Sequence, residues 1–163
     1  MTLHVDVQFA LDDVDPVCLP DAGQFSRWAQ AALNAVDRPF SVAWQMTLRL
    51  VGETEIVRLN RDYRHKAVAT NVLSFPFEAP LGLPASECGS ELGDVVICMP
   101  VVQREAAQQG KTEENHWAHM VVHGTLHLLG YDHITDAEAV QMESLEIQIL
   151  AGLGFANPYI ESA

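Results

Sequence analysis

Residues 123–133 have the sequence HGTLHLLGYDH, which holds three of the seven histidines in a chain of 163 residues. A helix turns about 100° per residue, so His123 and His127 are predicted on one face, one turn apart. Gly130 predicts the end of that helix, because glycine adopts the left-handed conformation at little steric cost. The chain can then turn back and bring His133 to the same point. Three imidazoles with a fourth position open are typical of a catalytic rather than a structural zinc site.

Two further histidines, His116 and His119, are predicted on the same stripe of this helix. The stripe is narrow, because on a helical wheel at 100° per residue the four histidines lie at about 0°, 300°, 340° and 20°, in the order His116, His119, His123 and His127. His119 with His123 is an equally good i, i+4 pair. However, His119 and His127 are two turns apart, roughly 12 Å, which is too far for one metal with ligands at about 2 Å. Only the pair nearest the glycine can be joined by a third histidine, so we interpret His116 and His119 as groove-lining or surface residues.

Residues 127–133 also match His-x-x-Gly-x-x-His, the second half of the long metzincin zinc motif. A zincin places a glutamate after its first histidine as the general base, and this chain has Gly124 there. Glycine carries no proton acceptor. The segment therefore predicts a metal site that does not use the usual zinc-protease mechanism.

Length and composition predict one folded domain, residues 1–163, with 48% hydrophobic and 19% charged residues. No apolar run reaches the roughly 18 residues that span a bilayer, and the first residues lack the basic and apolar regions of a secretory signal. Cys18, Cys88 and Cys98 have no metal-type spacing. We therefore expect a cytoplasmic protein with reduced thiols, rather than a disulfide between Cys88 and Cys98, and no membrane partner.

The charge of the chain is strongly negative, with nine Lys and Arg against 22 Asp and Glu, a net −13. Such a field repels the phosphates of nucleic acid. One short segment reverses it, because four of the nine basic residues lie there beside His65, with Asp62 as the one acid: Arg58, Arg61, Arg64 and Lys66. From charge alone, a solvated helix end explains this segment as well as a nucleic-acid contact does.

Alternating and helical patterns of apolar residues predict the element order β-α-β-α-β-β-α-α-α. The predicted strands cover residues 3–9, 41–51, 72–75 and 94–98, and the predicted helices cover 23–36, 54–64, 100–110, 112–130 and 135–150. Residues 78–93, rich in Pro, Gly and Ser, are predicted as the one long loop. This order predicts an α/β fold of the α+β type, in which about five helices flank one mixed, mostly parallel sheet of four strands.

Four blocks of this sequence together resemble the bacterial YbeY family: LNRDYR at 59–64, TNVLSFPF at 70–77, LGDVVI at 92–97, and residues 116–133. The resemblance extends from about residue 45 to residue 160. It implies a zincin-like fold and a zinc-dependent, single-strand-specific endoribonuclease. The implied roles of this hydrolase are ribosomal RNA processing, including maturation of the 3′ end of 16S rRNA, and ribosome quality control.

By position, the zinc ligands of the family correspond to His123, His127 and His133, which implies one Zn²⁺ per chain, and its important arginine corresponds to Arg64. A guanidinium at Arg64 suits catalysis, since it is always charged and grips phosphate oxygens in a fork. The implied partners are single-stranded RNA and the small ribosomal subunit or its assembly proteins, with no DNA expected. A somewhat long polar loop at residues 82–91 is the visible departure from the family pattern.

Two other functions are compatible with the sequence. The motif at 127–133 favours a zinc peptidase or amidase of the metzincin type, whereas Gly124 opposes it. The acidic surface favours a non-catalytic ribosome-assembly factor with a structural zinc, whereas an open metal position opposes it. Asp132, next to the last histidine, is compatible both with orienting a ligand imidazole and with capping the backbone. The residues do not identify the nucleophile or the general base.

Overall fold

The computed structural model describes residues 2–11, 19–36, 43–78, 81–82 and 90–160. Within these ranges four strands and five helices follow one another in the predicted order. The strands are β1 (Thr2–Ala10), β2 (Ala43–Val51), β3 (Val72–Pro76) and β4 (Glu91–Cys98). The helices are α1 (Ala22–Asn34), α2 (Glu53–Arg64), α3 (Met99–Gln109), α4 (Glu113–Leu128) and α5 (Asp136–Gly152).

The sheet is mixed and mostly parallel, as predicted, with the strand order β1-β2-β4-β3. β2 pairs in parallel with β1 and β4, while β3 runs antiparallel to β4, with Val72 opposite Ile97. The apolar run Val95–Cys98 predicts an internal strand, and β4 is internal. β3 therefore forms an edge of the sheet, the edge nearest the histidines.

The predicted loop at residues 78–93 is too long at its C-terminal end, because β4 begins at Glu91 rather than at Asp94. The leucine before Gly93 is buried against the core, which a loop position would not require. Most of the predicted 82–91 insertion lies outside the described residues, as do Cys18 and Cys88. Cys98 is fully buried at the end of β4.

α4 is the central helix of the core, because it packs against α1, α3, α5 and the sheet. Trp117 and Val121 are fully buried, and the Trp117 ring meets Phe25 of α1 with ring centroids 5.5 Å apart. A helix that is apolar on most of its surface belongs inside a protein. The histidine stripe therefore lies on a helix whose position is fixed from several sides.

α4 lies close against the sheet at Gly124. A Cβ atom there would lie 2.6 Å from Cγ1 of Val95 in β4 and 3.3 Å from Oγ of Ser74 in β3. The Ser74 hydroxyl also donates a hydrogen bond to the carbonyl of Gly124, at 3.1 Å. Glycine at this position thus lets the backbone of α4 touch the sheet, and the contact holds the neighbouring His123 in place.

The helix caps around the histidines agree with the sequence. The Thr112 side chain accepts a hydrogen bond from the Asn115 amide at 3.1 Å, and that of Thr135 accepts one from Glu138 at 3.2 Å. Gly130 has a φ of 101°, in the left-handed region that favours glycine. The chain therefore reverses beyond α4. Of the helices described here, none has the length and apolar character needed to cross a membrane.

Candidate metal centre

Three imidazole rings meet where α4 ends. The ring centroids of His123 and His127 are 4.6 Å apart, and the His133 ring lies 5.5 Å and 5.0 Å from them, respectively. One donor nitrogen from each ring lies within 4.8 Å of the other two. His123 and His127 are half-buried and His133 is exposed. The structure thus brings together the three histidines that the sequence predicted as one group.

The hydrogen bonds of these rings determine which nitrogen atoms are available. Nδ1 of His127 lies 2.9 Å from the carbonyl oxygen of Tyr131. A carbonyl only accepts, so Nδ1 carries the proton and Nε2 of the neutral ring carries a lone pair. Nδ1 of His123 is hydrogen-bonded to the Glu146 carboxylate, which assigns the same tautomer there.

The two Nε2 atoms of His123 and His127 lie only 3.1 Å apart. Two lone pairs that face each other at this distance repel, unless a proton or a cation lies between them. The third ring, His133, approaches the same point from the turn after α4. Three neutral nitrogen donors converging on one point are the donor set of a transition-metal site, so these residues fit a bound metal ion.

The electrostatic environment favours the neutral form of His127. Burial lowers the pKa of this ring, and positive charge on His123 and His133 lowers it further, against weaker opposing effects of Asp132 and the Tyr131 carbonyl. Only the neutral imidazole has a free lone pair for coordination. A lowered pKa therefore prepares His127 to bind a metal at neutral pH.

A cleft of about 690 Å³ opens beside the three histidines, between the end of α2, strand β3 and the turn after α4. Arg64, exposed at the C-terminus of α2, lines this cleft. It is the one Lys or Arg among the described residues of the cleft wall. Elsewhere in the basic segment, Arg61 pairs with its neighbour Asp62 at 3.3 Å. The cleft is thus lined by a single guanidinium together with the three imidazoles.

The same wall carries an aromatic pair. The rings of Tyr63 on α2 and Phe75 on β3 lie with centroids 4.5 Å apart, and Tyr63 is 65% exposed. Both residues line the cleft with Arg64. The cleft therefore offers aromatic ring surface along the same lining as a cation and the candidate metal ligands.

Glu146 on α5 belongs to this centre, and our reading of the sequence did not identify it. Its side chain is fully buried and bonds His123, while the Tyr159 hydroxyl donates to its other oxygen. Burial alone would raise the pKa of Glu146, but the neighbouring imidazoles of His119 and His123 lower it to about 2. A signal was present, because Glu146 lies on the face of α5 that otherwise buries apolar residues: Met142, Ile149 and Leu150.

His116 and His119 are buried, at 2% and 7% exposure, so the interpretation as surface residues is wrong. Both line a second cleft of about 760 Å³, which agrees with the groove-lining alternative. Nε2 of His116 lies 2.9 Å from the Glu105 carboxylate, which also accepts from Asn71. Burial lowers the pKa of His119, although nearby Glu146 opposes the change.

Asp132 has a backbone contact. Its carboxylate accepts a hydrogen bond from the His133 amide at 2.8 Å. This contact supports the capping alternative for Asp132, because it stabilises the turn that presents the third histidine.

The fold and the site together define a class of small α+β proteins with an open three-histidine centre in a cleft that also holds an arginine. The sequence model of the family described as "Endoribonuclease YbeY" matches residues 17–154, and the chain belongs to this family. The resemblance seen in the sequence blocks is therefore confirmed.

Three relatives named "Endoribonuclease YbeY" illustrate the similarity. The protein of Alcanivorax borkumensis is 52% identical over 158 residues, covering 97% of this chain and 87% of the relative. That of Alkalilimnicola ehrlichii is 57% identical over 141 residues, covering 86% and 82%, and that of Pseudomonas entomophila is 51% identical over 162 residues, covering 98% and 94%. The solution structure of TM1509 from Thermotoga maritima, at 17% identity, covers 97% of this chain and 100% of its own, with a TM-score of 0.51, and shares the fold.

Proposed function

We propose that the protein is a metal-dependent endoribonuclease that cleaves single-stranded ribosomal RNA. Its role in the cell is then maturation of the 3′ end of 16S rRNA and ribosome quality control. The observation that carries the proposal is the cleft itself, which is lined both by three convergent imidazoles and by Arg64. Membership of the endoribonuclease family supports the reaction class.

We assign His123, His127 and His133 as the ligands of one zinc ion per chain. Neutral imidazole nitrogen suits zinc, and three protein ligands leave a fourth position for substrate or water. When bound, the ion supplies Lewis-acid stabilisation of negative charge on the phosphate. The chain's own part is to hold three lone pairs in place, two of them through the hydrogen bonds of Tyr131 and Glu146.

Arg64 has the role of the phosphate-binding group. Its guanidinium is charged at every physiological pH and donates in a planar fork that matches two phosphate oxygens. In a protein of net charge −13, this cation also makes the cleft the favourable place for an RNA backbone. Arg64 thus orients the scissile phosphate against the imidazoles and stabilises the charge that develops during cleavage.

The exposed ring of Tyr63 supports a preference for single strands. Base stacking on aromatic side chains requires an unpaired base, because the faces of bases in a duplex are already covered. Tyr63 and Phe75 lie beside Arg64, so a base can stack where the adjacent phosphate is held.

The structure of the helix opposes a peptidase of the metzincin type. Such an enzyme needs a glutamate at position 124, yet even a Cβ atom there would lie 2.6 Å from the Val95 side chain. RNA cleavage does not depend on a glutamate at this position, since a metal ion, Arg64 and a 2′-hydroxyl of the substrate can contribute to it instead. A purely structural zinc is opposed by the openness of the cleft around His133, which is exposed.

We further propose that residues 1–163 act as one catalytic domain in the cytoplasm, on the small ribosomal subunit or with its assembly proteins. Net charge −13 limits tight RNA contact to the cleft, so a protein surface of the ribosome contributes to docking. DNA and membranes are not expected partners.

The test combines metal analysis of the purified protein with cleavage of matched single-stranded and double-stranded RNA. We expect about one zinc per chain, cleavage of the single strand only, and loss of both zinc and cleavage in His127→Ala. A peptide substrate serves as the control. Chelator-sensitive peptide hydrolysis faster than RNA cleavage, or RNA binding with no cleavage at any metal loading, would overturn the proposal.

A further inference from the structure

A fully buried carboxylate lies behind the candidate metal ligands, and it has no Lys or Arg partner among the described residues that contact it. Glu146 instead bonds His123 through one oxygen and the Tyr159 hydroxyl through the other. We propose that Glu146 is a positioning residue of the metal centre, which fixes the tautomer and rotation of His123 and is itself fixed by Tyr159. The proposal rests on the assignment of His123 as a metal ligand.

The two oxygens of Glu146 have different partners, so the carboxylate has a defined orientation. Oε1 accepts from Nδ1 of His123, and Oε2 accepts from Tyr159 and lies 3.7 Å from Nε2 of His119. The Tyr159 hydroxyl is also 3.3 Å from that same nitrogen. Rotation of the carboxylate would break contacts to two segments of the chain at once. The network therefore ties α4, α5 and the C-terminal segment together behind one imidazole.

Packing alone does not explain a glutamate at this position. The surrounding face of α5 buries Met142, Ile149 and Leu150, and an aliphatic side chain would extend that face. An ionised carboxylate in such a place loses its hydration, which polar partners only partly replace. Glu146 thus occupies a position where a leucine would stabilise the fold more directly, and its contacts lead to the metal centre.

The contact with His123 has a specific chemical consequence. When Nδ1–H donates to a carboxylate, the ring cannot flip without losing that bond, and its other nitrogen becomes a better donor. That other nitrogen is Nε2, the atom 3.1 Å from Nε2 of His127. Glu146 therefore acts on the metal through His123 and does not touch it.

A buried metal among His119, His123 and Glu146 is the competing interpretation, because these residues also place donor atoms within 4.8 Å of one another. Two ligands at about 2 Å from one tetrahedral ion are themselves roughly 3.3 Å apart. Nδ1 of His123 and Oε1 of Glu146 are in direct hydrogen-bond contact, closer than such ligands. A shared proton fits between these atoms, whereas an ion does not.

The histidine stripe of α4 also provides a matched control. Half-buried Glu105 of α3 makes a similar contact, at 2.9 Å, with Nε2 of His116, two turns before His123 on α4. His116 does not belong to the three-histidine group. Equal substitutions at Glu105 and Glu146 therefore separate the loss of any acid–histidine contact from the loss of support for a metal ligand.

The experiment measures zinc affinity by competition with a chelator in the full-length protein, with the spectrum of the cobalt-substituted protein as a second readout. Glu146→Met removes the acceptor and is expected to weaken zinc binding roughly 10- to 100-fold. Glu146→Gln keeps an acceptor oxygen without the charge, so about a 3- to 10-fold loss is expected, and Tyr159→Phe should lose less. Both Glu105→Met and Glu105→Gln should bind zinc as the wild type does.

Circular dichroism and thermal unfolding of the metal-free proteins establish that each variant is folded. If Glu146→Met is folded and binds zinc within twofold of the wild type, the proposal is overturned. If Glu146→Met does not fold, wild-type zinc affinity and an unchanged cobalt spectrum in both Glu146→Gln and Tyr159→Phe overturn it equally. RNA cleavage is not a readout here, so failure of the proposed nuclease function would leave the order of zinc affinities intact.

Discussion

The two halves of the histidine face on α4 contrast with each other. In the N-terminal half, His116 and His119 are buried and their Nε2 atoms contact Glu105 and Tyr159. In the C-terminal half, the Nε2 atoms of His123 and His127 face each other at the wall of an open cleft. One stripe of identical residues is thus divided into rings whose Nε2 atoms contact side chains of the fold and rings whose Nε2 atoms lie at the cleft. The surroundings of the unbonded nitrogen, buried in His116 and His119 and at the cleft in His123 and His127, distinguish the two pairs.

The largest expected effect separates the two halves directly. His127→Gln removes a predicted ligand, so we expect loss of bound zinc and a loss of RNA cleavage of about 100-fold or more. His116→Gln removes a ring of the same type from the buried half and should retain both. Metal content by mass spectrometry and single-turnover cleavage measure the contrast. Loss of zinc in His116→Gln with retention of zinc in His127→Gln would show that the metal binds in the buried half of the stripe and not at the cleft.

Substitution of Arg64 tests whether a cation of the cleft is needed for catalysis beside His123 and His127. Arg64→Ala should lower the cleavage rate by about 10²- to 10³-fold, the effect of removing one preorganised charge-stabilising group. Zinc content and thermal stability should not change, because Arg64 is exposed and supports no ligand. Arg58→Ala, an exposed site on the same helix, is the control and should stay within about threefold of the wild type. If the two variants lost equal factors in cleavage rate, Arg64 would contribute only through its positive charge and not through a specific contact with the phosphate.

Substitutions of Tyr63 test whether the open cleft binds unpaired bases by stacking. Tyr63→Ala removes a stacking surface that is worth about 1–3 kcal/mol per base, so the dissociation constant for single-stranded RNA should rise about 5- to 150-fold. Tyr63→Phe keeps the ring and should bind as the wild type does. Binding titrations with a catalytically inactive background such as His127→Ala measure the effect. Unchanged binding in Tyr63→Ala would remove the aromatic pair from the RNA site.

The smallest expected effect belongs to the buried half. The hydrogen bond with His116 lowers the pKa of Glu105, assisted by Asn71 and opposed by burial. A lowered carboxyl pKa stabilises the fold above the unfolded pKa of about 4.3, and the contribution is lost as pH falls through the folded value. Glu105→Gln should therefore cost about 1–2 kcal/mol of unfolding free energy at pH 7. The difference should begin to shrink as pH falls below about 4.3 and disappear only below the lowered pKa of the folded state, as urea titrations at several pH values can show.

Local signals in the sequence were sufficient for the ends of α4 and for the three-histidine group. Thr112 and Gly130 act within one helical turn of the backbone groups that they cap, so their effects can be read without knowledge of the fold. Burial of His116 and His119 could not be read in this way, because it depends on α3 and the C-terminal segment covering one part of the stripe.

The contacts of Glu146 and Tyr159 behind His123 could not be predicted from local sequence patterns either. Glu146 lies 23 residues from His123 along the chain, and Tyr159 lies a further 13 residues away. Only the path of α5 across α4 brings these side chains together. An acid on an apolar helix face predicts a buried partner, but the identity of that partner is a property of the tertiary structure.

The left-handed turn at Gly130 links metal occupancy to the local opening of the chain. Two candidate ligands precede this turn and His133 follows it, so an ion bound to all three closes a short loop across the end of α4. The bound ion then stabilises the closed form of this loop against local unfolding. The stabilisation is about 2.7 kcal/mol at a metal concentration of 100 times the dissociation constant. If zinc binds as proposed, amide hydrogens of residues 127–133 should exchange with solvent more slowly in the zinc-loaded protein than in the metal-free protein.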